Sequence, residues 1–204
     1  LTDDGRVVGA VARRFGTEVV YRARRGVVIT TGGFADDAVM LADHAPGLVG
    51  HGVVSDGRDD GSGIRLGLSV GGTVRRMAAT QIALAVVPAL ACRGMLVDAR
   101  GQRFVNEDVY PGRFGQVALT RPGPWYTLVD QRGWEEVSES ERWGVQPCAV
   151  ADDLTELATE LGMPAGALED TVRRYDRDAA AGLDGLHHKH PRWLRPLQPP
   201  YAAV

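Results

Sequence analysis

Lysine is almost missing from this chain of 204 residues: of its 23 basic side chains only Lys189 is a lysine, the rest being arginine. That bias is what a GC-rich genome produces. With a net charge of −3 it builds no basic field, which excludes the electrostatic footprint of a nucleic-acid binder. Cysteine is scarce as well. Cys92 and Cys148 stand apart, in no Cys-x-x-Cys pair, and two thiols are too few for a disulfide framework; both read as reduced, partly buried thiols. No apolar run approaches the roughly 18–20 residues of a membrane span, and the longest, Ile82–Cys92, is interrupted by Pro88. No secretory signal is visible, and a cytoplasmic location is expected. Missing too is any Gly-x-Gly-x-x-Gly, the pattern that seats a dinucleotide pyrophosphate. The chain opens on Leu1 in what reads as a turn and closes on Tyr201–Val204 in what reads as the start of a strand. An internal piece of a longer protein is therefore expected.

What is present is an ordinary globular composition, 44% hydrophobic and 24% charged, with a mixed element pattern. Arg6–Arg13 and Thr17–Arg22 are short β-rich runs joined at Arg14–Gly16, which suits a hairpin. Gly26–Thr30 is a continuous apolar run, as in a strand buried on both faces. Helices are predicted over Asp36–Asp43 and Gly63–Val70, the second closed by Gly71-Gly72, and Thr73–Met77 reads as extended. Further on, strands are predicted at Arg93–Asp98 and Trp125–Asp130, with a short extended piece at Arg103–Val105. A helix over Asp152–Leu161 has Asp152 as its N-cap and an apolar stripe at Leu154, Leu157, Ala158 and Leu161. A last helix starts at Met163-Pro164, carries Leu168, Val172 and Tyr175, and ends near Gly182. This is an α/β start giving way to an α+β region, the pattern of a discontinuous domain interrupted by an inserted one.

Three motifs could carry chemistry. Val27-Val28-Ile29-Thr30-Thr31-Gly32-Gly33-Phe34 ends an apolar run in two glycines, letting backbone approach a ligand at a strand's carboxyl end; a plain strand-to-helix turn reads equally well. Asp59-Asp60-Gly61-Ser62-Gly63 leads into a helix, where an acidic side chain can accept from ribose or ribityl hydroxyls and backbone amides can face a phosphate. Its alternative is a solvated loop, and its spacing is not that of a calcium-binding loop. Gly94 to Glu107 is a strand, a turn and a short extended segment ending Arg103-Phe104-Val105-Asn106-Glu107. Alone it could be a hairpin with a solvated tip. His187, His188 and His190 cluster, but no acidic or cysteine partner flanks them at ligand spacing, so no metal site is assigned. Trp125, Trp134, Trp143 and Trp193 could line a flat apolar pocket and equally could be domain packing.

Taken in order, Thr31–Phe34, Asp60-Gly61 and Gly94–Glu107 resemble the flavoprotein family of fumarate reductases, succinate dehydrogenases and 3-ketosteroid Δ1-dehydrogenases. The likeness runs on through Leu128-Val129-Asp130 to Pro199-Pro200-Tyr201-Ala202, covering nearly the whole chain. It implies part of a Rossmann-like FAD-binding domain over residues 1–72, an inserted α+β substrate (capping) domain over 73–198, and a strand at 199–204 returning to the FAD-binding domain. It also implies FAD as cofactor, with Thr31, Gly32, Gly33, Asp60 and Gly61 against it.

In such a family a hydride moves between flavin N5 and a substrate carbon, and a protein group moves the matching proton. The resemblance puts candidate catalytic residues at Tyr110, Arg113 and Glu107. Tyr110 stands about one residue closer to the Asn-Glu pair than the family's tyrosine. Its hydroxyl, with an ordinary pKa of about 10, would need positive charge nearby to act as a base, and Arg113 is the candidate source. A small-molecule substrate is expected: a steroid-like enone by preference, a dicarboxylate as the alternative. The dicarboxylate would need a His/Arg grip for which only His51 and Arg76 offer themselves. A third reading is a non-enzymatic α+β binding module without flavin. The electron acceptor is not indicated.

Overall fold

Glycine sets the turns of the first eighty residues. β1 (Thr2–Asp3) and β2 (Arg6–Val7) pair antiparallel across Asp4-Gly5, and β3 (Gly9–Arg14) and β4 (Thr17–Arg22) pair across Phe15-Gly16, with Val11 opposite Val20. Both residues of each turn have positive φ (47° and 73°; 47° and 81°). That is the two-residue geometry whose twist matches paired strands. The expected first strand is thus split at Val8. The computed structural model, which describes every residue from Leu1 to Val204, divides into two units, Leu1–Thr80 and Gln81–Val204.

The first unit continues with α1 (Ala38–His44) and α2 (Ser62–Ser69). Asp37 caps α1 by accepting the Val39 and Met40 amides at 3.0 and 2.9 Å, which satisfies donors that a helix start leaves free. Gly26–Thr30, expected as a buried strand, has no ladder, and Val28 is 86% exposed. A strand exists through its neighbours, and neither two-stranded hairpin pairs an edge with this segment. Thr73–Met77 is likewise irregular. Ala45 is the one buried apolar residue of this unit.

The core lies in the second unit. Four antiparallel strands run in the order β5 (Met95–Val97), β6 (Tyr126–Asp130), β8 (Tyr201–Ala203), β7 (Ala149–Ala151). Side chains alternate across the sheet. Met95 and Val97 pack with Leu157 of α6 (Leu154–Glu160) and with Leu168, Val172 and Tyr175 of α7 (Ala167–Ala180). Leu96 faces the other way, onto Ala91 of α3 (Pro88–Arg93) and Phe114 of α4 (Pro111–Ala118). Helices therefore cover both faces of the sheet, and each large apolar side chain so buried contributes roughly 1.5–3 kcal/mol. A short α5 (Gln131–Glu135) follows β6 directly, capped by Asp130, which accepts the Gly133 amide at 2.7 Å. The N-cap of α6 is Asp153, not Asp152, and α7 begins behind Gly166 at φ +79°. β8 is the strand expected at the chain's end, but its partners are β6 and β7 of this unit. No helix is long and apolar enough to cross a membrane.

Candidate functional site

In the first unit the two glycine motifs meet. Gly33 donates its amide to Asp59 Oδ1 at 3.1 Å, the Asp36 amide donates to the Asp59 carbonyl at 2.9 Å, and the Gly61 amide to the Gly33 carbonyl at 2.9 Å. Gly32 sits at φ +83° with its α-carbon against the Asp59 carboxylate, where a Cβ would collide. Gly61, at φ +70°, is the N-cap of α2. The space a side chain would need at Gly63 is filled by Thr31 Oγ1 and, at 2.9 Å, Ile29 Cγ2. Asp60 accepts the Ser62 amide at 2.8 Å, and its bonding to Ser62 holds its carboxyl below the usual range. Arg65 ties the loop to α1, reaching Asp37 at 2.5 Å and the Asp60 carbonyl at 2.6 Å.

Beside this junction lies a cleft of about 310 Å³ lined by Ile29, Thr31, Gly32, Gly63 and Gly67, among others. Of the expected cofactor residues, Thr31 and Gly32 line it; Gly33, Asp60 and Gly61 shape the loop behind. Asp59, which actually touches the double glycine, was not singled out, and two adjacent aspartates on one loop offer no sequence signal to separate them.

In the second unit, the Arg103–Glu107 segment closes on a buried quartet of charges. Arg103 grips Glu107 through Nε–Oε1 at 2.8 Å and Nη2–Oε2 at 2.6 Å, and also reaches Asp184 Oδ2 at 2.8 Å. Lys189 Nζ lies 3.5 Å from Glu107 Oε2 and donates to the carbonyls of Gly94 (2.5 Å) and Ala91 (3.4 Å). Two cations and two anions are thus enclosed together, which is what burial of charge requires. Burial works against ionisation of Asp184, but bonds from Arg103 and from the His187 and Lys189 amides outweigh it and hold the carboxyl well below its usual range. Burial pulls Lys189 down, with Glu107 opposing. Tyr175 lies beneath, with Arg103 and Lys189 5.1 and 5.4 Å from its ring centroid, and burial raises its phenol.

Of the expected catalytic residues, Glu107 is therefore interior: its carboxylate is occupied by Arg103, Lys189 and the Leu96 amide at 3.1 Å. Tyr110 is 66% exposed at the N-cap of α4 and accepts from Gln81 Nε2 at 2.6 Å. Arg113, in the first turn of α4, is exposed and reaches Gln116 Oε1 at 3.4 Å. No sustained apolar period marks this helix in the sequence, although Pro111 at a first helical position is a usable signal. His187 Nε2 lies 3.3 Å from the Arg103 carbonyl, and His190 caps the 3-10 turn at Pro191–Trp193. The lone lysine of the sequence is, with Arg103, one of the two buried cations of the quartet.

With this geometry in view, the class is defined: the chain belongs to the FAD-binding domain family, whose model matches residues 1–204, and FAD is its cofactor. Among particular proteins, it is similar to the crystal structure of 3-ketosteroid-Δ4-(5α)-dehydrogenase from Rhodococcus jostii in complex with 4-androstene-3,17-dione. The TM-score is 0.86 at 41% identity, over 99% of this chain and 43% of that one. It is also similar to 3-oxosteroid 1-dehydrogenase of Mycobacterium tuberculosis (28% identity, 83% of this chain, 36% of that protein) and to fumarate reductase (cytochrome) of Shewanella frigidimarina (26%, 89% and 34%). The chain spans less than half the length of each. The residues present fit part of the cofactor: Gly32, Gly63 and Gly67 bring bare backbone to the cleft. Its volume is near the lower bound, about 300 Å³, of small-molecule pockets.

Proposed function

We propose that this chain is part of an FAD-dependent 3-ketosteroid dehydrogenase. Residues 1–72 would contribute to a Rossmann-like flavin domain, 73–198 form a substrate-capping domain, and 199–204 return toward the flavin domain while pairing in the capping sheet. The observation that carries the reading is the 41% identity across 99% of the chain with an enzyme of that class. The same identity favours the C4–C5 bond over the C1–C2 bond as the site of reaction. The relatives acting at position 1 stand lower, at 28%.

Thr31 and Gly32 would hold FAD across the cleft, with Gly33, Asp60 and Gly61 fixing the loop that supports them. Bound FAD supplies the hydride acceptor. This chain's own task is the proton: as one carbon gives up a hydride its neighbour releases a proton, and Tyr110 takes it as the phenolate, becoming a neutral tyrosine that passes the proton on to solvent. The Gln81 amide donates to the phenolic oxygen at 2.6 Å and leaves that oxygen's remaining lone pairs free for the incoming proton. Arg113, in the next turn, adds positive charge to that surface. Glu107 holds the segment in place and does not touch substrate. The free thiols Cys92 and Cys148 suit the reducing cytoplasm in which the reading places the protein.

The test uses the complete FAD-loaded protein with 4-androstene-3,17-dione and its saturated counterpart, an artificial electron acceptor, and succinate as comparator. Steroid turnover is expected, and Tyr110→Phe should lower it by about 10²-fold or more. Turnover of succinate alone would replace this reading with the dicarboxylate one. Full steroid activity in Tyr110→Phe would remove Tyr110 from the mechanism.

A further inference from the structure

Three consecutive residues, the last two of the Arg-Phe-Val-Asn-Glu segment and the Asp108 that follows it, bind three consecutive residues of the histidine-rich loop. Asn106 Nδ2 donates to the His188 carbonyl at 3.0 Å, Glu107 Oε2 faces Lys189 Nζ at 3.5 Å, and Asp108 Oδ2 accepts the His190 amide at 2.7 Å. The rungs brace one another. The Asp108 amide donates to Asn106 Oδ1 at 2.8 Å, and Asp184 gathers the amides of Leu186, His187 and Lys189 at 3.0–3.1 Å while binding Arg103. On the loop side, His188 is held at φ +59°, a conformation uncommon for a residue with a Cβ. Lys189 is tied to two carbonyls at the end of α3. Two residues beyond Asp108 comes Tyr110, at the N-cap of α4 and with its side chain exposed.

We propose that the clasp of Asn106, Glu107 and Asp108 on His188, Lys189 and His190 is a positioning element for Tyr110, with Asp108 its most telling member. This rests on the reading of Tyr110 as proton carrier. Asp108 is the informative residue because it is only partly buried and its single accepted bond can be deleted without unpairing the buried quartet. A displacement of about 1 Å at a reacting group costs about 10²-fold in rate.

The experiment compares Asp108→Ala, Asp108→Asn, Tyr110→Phe and the double variant Asp108→Ala/Tyr110→Phe in the complete FAD-loaded protein. Steroid turnover is measured together with hydrogen exchange of the 186–190 and 108–113 amides. Asp108→Ala should lower kcat tenfold to a hundredfold with KM little changed and faster exchange in both segments. Asp108→Asn, which keeps an acceptor oxygen, should restore both. In the Tyr110→Phe background, Asp108→Ala should lower kcat no further. Additive losses in the double variant would overturn the proposal while leaving Tyr110's role intact. An unchanged kcat in Tyr110→Phe would overturn both.

Discussion

Replacing Lys189 by Met gives the sharpest view of how the second unit is held together. Met matches the length of the lysine stem and occupies the same space, so packing is largely preserved. What is lost is charge and bonding. Arg103 is left to balance both Glu107 and Asp184, and the Gly94 and Ala91 carbonyls lose their donor. Removing one partner of a buried ionic group costs about 3–5 kcal/mol, and an orphaned carbonyl adds to the same loss, not fully independently. Against a domain stability of about 5–15 kcal/mol this is a large share, and it should lower the unfolding midpoint by about 10 °C or more. Lys189→Arg should not rescue it. The wider planar guanidinium has no room at a site where the side chain is fully enclosed and one contact is 2.5 Å. Calorimetry on wild type, Lys189→Met, Lys189→Arg and the compensating pair Lys189→Met/Glu107→Gln decides the matter. The pair should recover part of the loss, since it removes one charge of each sign. A midpoint for Lys189→Met within 2–3 °C of wild type would refute the view that the quartet is a balanced unit.

Three further outcomes follow. Stability should fall with acid through Asp184. Its carboxyl is depressed in the folded state, so its contribution is complete above the unfolded value of about 3.9 and drains away as pH drops below it. Asp184→Asn should flatten the stability–pH slope between about pH 4 and pH 2, and an unaltered slope in chemical denaturation would contradict the assignment. Gly63→Ala should disturb the glycine junction, because the added methyl lands on Thr31 Oγ1 and Ile29 Cγ2; overpacking of that kind costs about 1–3 kcal/mol. FAD affinity of the complete protein, read by fluorescence titration, should weaken, whereas Gly47→Ala, with open space around it and no positive φ, should leave affinity alone. The 204-residue chain by itself, lacking a Gly-x-Gly-x-x-Gly, should bind FAD far more weakly than the complete protein, and equal affinity would argue against that division of labour.

Periodicity made much of the second unit readable. Leu168, Val172 and Tyr175 announced α7, and all three are buried; the apolar Trp125–Asp130 run is β6. Short elements escaped. β7 is three residues long and α5 five, too brief for any period to show, and α3 is hidden in the apolar stretch from Ile82 to Cys92. The failure at Gly26–Thr30 has a different origin. Local composition proposes a strand but only a partner can complete one, and none pairs with it here. At the site, motif order located both glycine turns and the Arg-Phe-Val-Asn-Glu segment. What order could not show was direction, namely that Glu107 turns inward to Arg103 and Lys189 while Tyr110 faces out. A single lysine among arginines was visible throughout, yet its role depends on a partner 82 residues away along the chain, Glu107.

The proposed activity requires the complete protein to oxidise a 3-ketosteroid at the expense of its FAD. Anaerobic mixing of the FAD-loaded protein with a saturated 3-ketosteroid, followed by flavin absorbance, isolates that half-reaction. The oxidised flavin bands should bleach as one equivalent of the unsaturated ketosteroid forms. Flavin that stays oxidised with the steroid but bleaches with succinate would overturn the steroid assignment.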